Sequence, residues 1–194
     1  MLNLGGQGDL FGAPLLPGLK AAPDIITAGE ERALIAHLGA ADLEPFAFQQ
    51  WTGKRLTRSF GWTYDFKTGR FAPSDPFPDW LRPISARAAA FAGIDAADLA
   101  QALLIEYGEG AGIGWHKDRP VFDHVIGISL GADAVMRFRR RTKAGFERVS
   151  LPLTPRGIYH LAGEARRDWE HSIAEMPAPR WSITFRSLCR NASL

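Results

Sequence analysis

Gly112-Ile113-Gly114-Trp115-His116-Lys117-Asp118 is the stretch from which the rest of the chain can be read. In an extended strand, residues two apart point to the same face, so His116 and Asp118 project together. An imidazole and a carboxylate at that spacing suit two ligands of one metal, although a solvated strand end would look the same. Two ligands leave a site incomplete, and a third must come from elsewhere in the chain. His171 is the chosen candidate, because Trp169-Glu170-His171-Ser172-Ile173 alternates as a half-buried strand does. His124 and His160 are the rivals. His124 lacks a carboxylate at matching spacing, and His160 reads as a core or rim histidine.

A second strand pattern follows in Arg180-Trp181-Ser182-Ile183-Thr184-Phe185-Arg186. One face carries Trp181, Ile183 and Phe185 and reads as core. The other carries Arg180, Ser182, Thr184 and Arg186, which alone would read as a solvated surface. Two histidines and one carboxylate with open positions form the donor set of non-haem Fe(II) oxygenases. Beside such a set the arginines gain a purpose, since a guanidinium fork matches the carboxylate of a dicarboxylate co-substrate.

Taken together, His-x-Asp, a distant His and Arg-x-x-x-x-x-Arg resemble the AlkB family of Fe(II)/2-oxoglutarate dioxygenases. The likeness extends to Val125-Ile126-Gly127-Ile128-Ser129-Leu130-Gly131, to Gly163-Glu164 and Arg167 ahead of His171, and to Phe60-Gly61-Trp62-Thr63. It spans most of residues 17 to 188. The resemblance implies Fe(II) held by His116, Asp118 and His171, with 2-oxoglutarate and O2 as co-substrates. Arg180 is then the partner of the far carboxylate, with Tyr107 and Ser182 nearby. Arg186 lies deeper, near the metal-side carboxylate, Asp118 or the substrate. Trp62, Tyr64 and Arg58 become candidate substrate contacts, Trp62 by stacking on a base. Two departures bear on the co-substrate: Ile105 and Ser182 stand where the family often has Asn.

The chain has 194 residues, 46% of them hydrophobic, and a formal net charge of +2. That suits one domain with a sizeable core. No apolar run is long enough to span a membrane, and Leu10 to Leu19 is broken by prolines and lacks a basic leader. The single cysteine, Cys189, excludes an internal disulfide and suits a reducing cytoplasm. Arg137, Arg139, Arg140, Arg141 and Lys143 crowd one stretch, and Lys54, Arg55 and Arg58 form a second group. Both suit phosphate contact.

The expected architecture is α+β and mainly β. Residues 1–23 are expected as an irregular arm, ahead of a single domain over 24–194. Thr27-x-x-Glu30 is a capping box that starts a helix ended by Gly39, and a second helix is expected from about Asp79 to Ala92. Trp51, Phe60, Trp62, Tyr64 and Phe66 accumulate in a strand-and-loop region between them. Eight strands follow, at about 101–107, 113–118, 124–130, 134–140, 146–151, 157–161, 169–174 and 181–188. Their number and turn signals predict a jelly roll, or double-stranded β-helix, with the two helices bracing one sheet. The functional expectation is oxidative demethylation of N-alkylated bases in DNA or RNA, single-stranded or with a flipped base, by a cytoplasmic monomer. The alternatives are the same chemistry on tRNA or a protein side chain, and a non-catalytic jelly-roll binding module.

Overall fold

In the computed structural model, residues 15–48, 51–65 and 70–190 are described. Most of the expected arm (1–14), Phe66 and the last four residues lie outside them, as does the Trp51 side chain. Eight strands build two facing sheets: β6 (Leu99–Tyr107), β7 (Ile113–His116), β8 (Phe122–Gly131), β9 (Ala134–Thr142), β10 (Gly145–Leu153), β11 (Ile158–Leu161), β12 (Glu170–Ile173) and β13 (Arg180–Leu188). Five strands among the described residues come earlier: β1 (Leu19–Ala22), β2 (Glu44–Phe48), β3 (Trp51–Phe60), and β4 (Trp62–Asp65) paired with β5 (Arg70–Pro73) in a separate hairpin. The larger sheet runs β1-β11-β8-β13-β6-β3-β2 and the smaller β10-β9-β12-β7. This is the expected jelly roll, with its major sheet widened by three N-terminal strands.

Two helices cover the outer face of the major sheet. Helix α1 (Ala28–Ala40) starts at the capping box, with Thr27 and Glu30 each bonding the other's backbone N–H. Helix α2 (Arg82–Ala92) follows a single 3-10 turn and ends at Gly93, whose φ of 73° is the left-handed conformation that glycine adopts cheaply. Leu34, Leu38, Leu81, Ile84 and Ala88 pack on Leu104, Ile126, Ile128, Ile183 and Phe185 to form the outer core. His37 of α1 stacks on Trp80 with ring centroids 4.7 Å apart.

A second core fills the space between the sheets, where Tyr107, Val125 and Tyr159 meet Met136, Phe138 and Ile173. Gly127 is needed there, because Tyr159 lies across it and a Cβ would run into the ring. Gly127→Ala should therefore destabilise the protein by about 1–3 kcal/mol through overpacking, measurable as a shift in the urea midpoint.

Two elements differ from the sequence reading. Leu19–Ala22, expected within an irregular arm, is a strand because it pairs antiparallel with β11. A short helix α3 (Gly163–Arg167) precedes β12. Both are set by long-range contact and not by local periodicity.

The capping box also carries a pH dependence. Arg87 donates to both oxygens of Glu30, which lowers that carboxyl from 4.5 to about 2. A depressed folded value means stabilisation that is complete above pH 4.5 and lost as the pH falls toward 2. Glu30→Gln should flatten this part of the acid-unfolding profile followed by circular dichroism, leaving the region above about pH 5 parallel to the parent.

Candidate active site

The inner face of the major sheet is written by strand alternation. On β13 the inward residues are Arg180, Ser182, Thr184 and Arg186, paired to Tyr107, Ile105, Leu103 and Gln101 of β6. Arg180, Ser182 and Thr184 are buried, so the polar face of this strand looks into the molecule and not into solvent.

His116 and His171 are direct cross-strand partners on β7 and β12. Their ring centroids are 4.3 Å apart, as expected for such a pair. The His116 Nδ1–H donates to the Gly114 carbonyl at 2.9 Å, which leaves Nε2 with its lone pair. Asp118 lies just beyond the end of β7, in the loop that follows and not in the strand as expected. Its Oδ2 is 3.6 Å from His171 Nε2. Its Oδ1 accepts from Arg186 Nε at 2.9 Å, with Nη2 at 2.8 Å.

Electrostatics set the protonation states. Burial pushes the His171 imidazole down to about 4, with His116 adding to the effect. His116 is also lowered, again chiefly by burial. Burial pushes the Asp118 carboxyl up, but the Arg186 guanidinium beside it more than offsets this and holds it well below the usual carboxylate range. Two neutral imidazoles and one ionised carboxylate result. They are the donor types that suit Fe(II) with open positions. Among the described residues no three such side chains surround one point at ligand distances. The three are neighbours, with Asp118 drawn toward Arg186.

Arg180 gives a second test of fit. It is 1% exposed. Its Nε donates to Ser129 Oγ at 3.2 Å, and its Nη1 has no partner. Its guanidinium sits 5.0 Å from the Tyr107 ring centroid, and it forms no ion pair among the described residues. A buried, unneutralised cation is costly unless a ligand completes it. A dicarboxylate would do so.

Several contributors escaped the sequence reading. Ser129, and not Ser182, bonds Arg180; Ser182 is the cross-strand neighbour of Ser129. Gln101 accepts from Arg186 Nη1 at 3.0 Å and donates to the Trp62 carbonyl at 2.9 Å. The hairpin β4–β5 is thus tied through Gln101 and Arg186 to Asp118. Arg119 adds a second tie, its guanidinium 3.1 Å from the Tyr64 ring centroid. Arg166 is buried and donates to the carbonyls of Arg119 and Phe122, bracing the loop that follows Asp118.

Other expectations are corrected. Arg58, a candidate substrate contact, pairs with Leu104 on the outer face of the sheet. It is held by Asp42 at 3.3 Å and Asp75 at 3.2 Å. Arg139 is neutralised by Glu170 at 2.6 Å, and Arg140 by Glu164 and Glu147. The basic stretch therefore presents fewer open charges than its composition suggested. The rival ligands His124 and His160 sit on the outer face, bonded to each other at 2.8 Å.

The family model described as the 2OG-Fe(II) oxygenase superfamily matches residues 42–186, and the chain belongs to that family. That makes it a 2-oxoglutarate- and Fe(II)-dependent oxygenase, and the family implies Fe(II), 2-oxoglutarate and O2. The Alkylated DNA repair protein ALKBH8 homolog of Arabidopsis thaliana is 28% identical over 184 residues, 81% of this chain and 51% of that protein. The tRNA (carboxymethyluridine(34)-5-O)-methyltransferase alkbh8 of Xenopus tropicalis is 25% identical over 171 residues, 85% of this chain and 26% of that protein. The chain thus spans about half of the first of these relatives and about a quarter of the second. Among solved structures, OsALKBH1 superposes with a TM-score of 0.69 at 14% identity, covering 90% of this chain and 99% of that one. No helix among the described residues is long and apolar enough to cross a membrane.

Proposed function

We propose that this dioxygenase removes N-methyl groups from bases of DNA or RNA, releasing succinate, CO2 and formaldehyde. The observation that carries the reading is the bond chain from the Trp62 carbonyl through Gln101 and Arg186 to Asp118. It fixes an aromatic hairpin relative to the carboxylate assigned to the metal, where a base extruded from its stack needs an aromatic surface. The relatives whose names refer to alkylated DNA and to tRNA support a nucleic-acid substrate.

In this reading His116 Nε2, Asp118 Oδ2 and His171 Nε2 hold the iron. When bound, Fe(II) supplies oxidation of the methyl C–H by O2, coupled to decarboxylation of 2-oxoglutarate. The hydroxymethyl product then loses formaldehyde and restores the base. The protein's part is placement. Arg180 receives the far carboxylate of 2-oxoglutarate as a charge-assisted pair, with the Tyr107 hydroxyl as a further donor and Ser182 close by. Arg186 holds Asp118 ionised and turned. Ile105, buried between the sheets, keeps that wall dry.

The test is succinate and formaldehyde release with Fe(II), 2-oxoglutarate and a panel of N-methylated DNA, RNA and tRNA oligomers. Both products should appear with at least one N-methylated base. Succinate without formaldehyde, on a tRNA carrying a carbon-linked uridine substituent, would favour hydroxylation instead. That second reading draws on the tRNA uridine named for the Xenopus relative. Trp62→Ala should slow demethylation about tenfold or more by removing a stacking surface. Substrate-independent decarboxylation should survive, and loss of both activities would refute the stacking role.

A further inference from the structure

Arg180 is not the only arginine beside Tyr107. Arg55 is its neighbour across β6, since Arg55 of β3 and Arg180 of β13 both pair with Tyr107. All three point inward. The Arg55 guanidinium lies 5.9 Å from the Tyr107 ring centroid and 4.7 Å from that of Phe46. Arg55 is 9% exposed and has no hydrogen-bond or ion-pair partner among the described residues. A guanidinium so enclosed is expected to find an anion.

The two arginines flank Tyr107 from its two neighbouring strands. One dicarboxylate reaching from the metal to Arg180 leaves the Arg55 guanidinium without an anion.

We infer that Arg55, clamped between Phe46 and Tyr107, is a substrate-binding residue that receives a backbone phosphate of the nucleic acid beside the target nucleotide. This rests on the nucleic-acid reading above. The two stacking rings hold the planar fork in one orientation, so that both of its outer nitrogens can meet the oxygens of one phosphate. Arg58, grouped with Arg55 in the sequence, has no such placement, because it faces the other side of the sheet.

Two measurements test this on the full chain loaded with 2-oxoglutarate and Zn(II) in place of Fe(II), so that Arg180 is already engaged. Inorganic phosphate should shift the Arg55 Nε–H resonance saturably, and that signal should be missing in Arg55→Met. No saturable shift overturns the anion site. The second measurement is binding of an N-methylated oligomer with ordinary phosphodiesters and of one with neutral methylphosphonates around the modified base. Arg55→Met should weaken the first about tenfold or more and leave the second unchanged, with Arg55→Lys in between. Equal weakening of both would make Arg55 a structural support. A raised 2-oxoglutarate requirement in Arg55→Met would assign it to the co-substrate; either result overturns the inference. A saturable phosphate shift in a protein that binds no modified oligomer would keep the anion site and remove the nucleic-acid reading.

Discussion

His171→Ala, His116→Ala and Asp118→Ala should each lower succinate release to background. Removing one of three ligands takes away both affinity for the metal and the geometry of its open positions. The variants should nevertheless fold. His171 and His116 are partners across β12 and β7, and alanine keeps the backbone ladder intact. Asp118→Ala is expected to perturb the protein most, because it leaves the half-buried Arg186 beside Gln101 without its carboxylate. Asp118→Asn, which keeps an acceptor for Arg186, should recover the lost stability but not the activity. Full turnover in His171→Ala, or abolished turnover in His124→Ala with the sheet intact, would contradict the ligand assignment.

Arg180→Met should separate stability from co-substrate binding. A charge-assisted pair between a guanidinium and a carboxylate is worth about 1.5–3 kcal/mol, so the 2-oxoglutarate requirement should rise about tenfold or more without it. In the absence of 2-oxoglutarate the same change should be neutral or stabilising, because it replaces a buried and unpaired cation by an apolar chain of similar length. The clearest signature is thermal. Saturating 2-oxoglutarate should raise the Tm of the parent by mass action and leave that of Arg180→Met almost unmoved. An equal rise in both would place the dicarboxylate elsewhere.

The features legible in the sequence were those with local causes. The Thr27–Glu30 box, Gly93 after α2 and the alternation of Arg180 to Arg186 each state their structure within a few residues. All eight strands of the jelly roll were read this way, with shifts of a few residues at their ends. The polar face of β13 was assigned inward only because His116, Asp118 and His171 gave it something to serve. What sequence could not supply was pairing at a distance. Strand β1 has no signature of its own and exists because β11 offers an edge. Glu170 neutralises Arg139 because β12 lies beside β9, which no composition count reveals.

Arg55 and Arg58 teach a sharper lesson. Grouped as one basic patch, they are three residues apart in a strand, and an odd separation puts side chains on opposite faces. The signal was present in the numbering. Gln101 and Ser129 were hidden differently, as single polar residues in apolar strands, where only the facing strands give them work.

The most direct test is an anaerobic Fe(II) titration in the presence of 2-oxoglutarate, followed by the visible charge-transfer absorption of the complex. The parent should bind one Fe(II) per chain with saturating absorption, and His116→Ala, Asp118→Ala and His171→Ala should each abolish it while keeping the parent's circular dichroism. Saturating absorption that persists in any of these three folded variants would contradict the site at its centre.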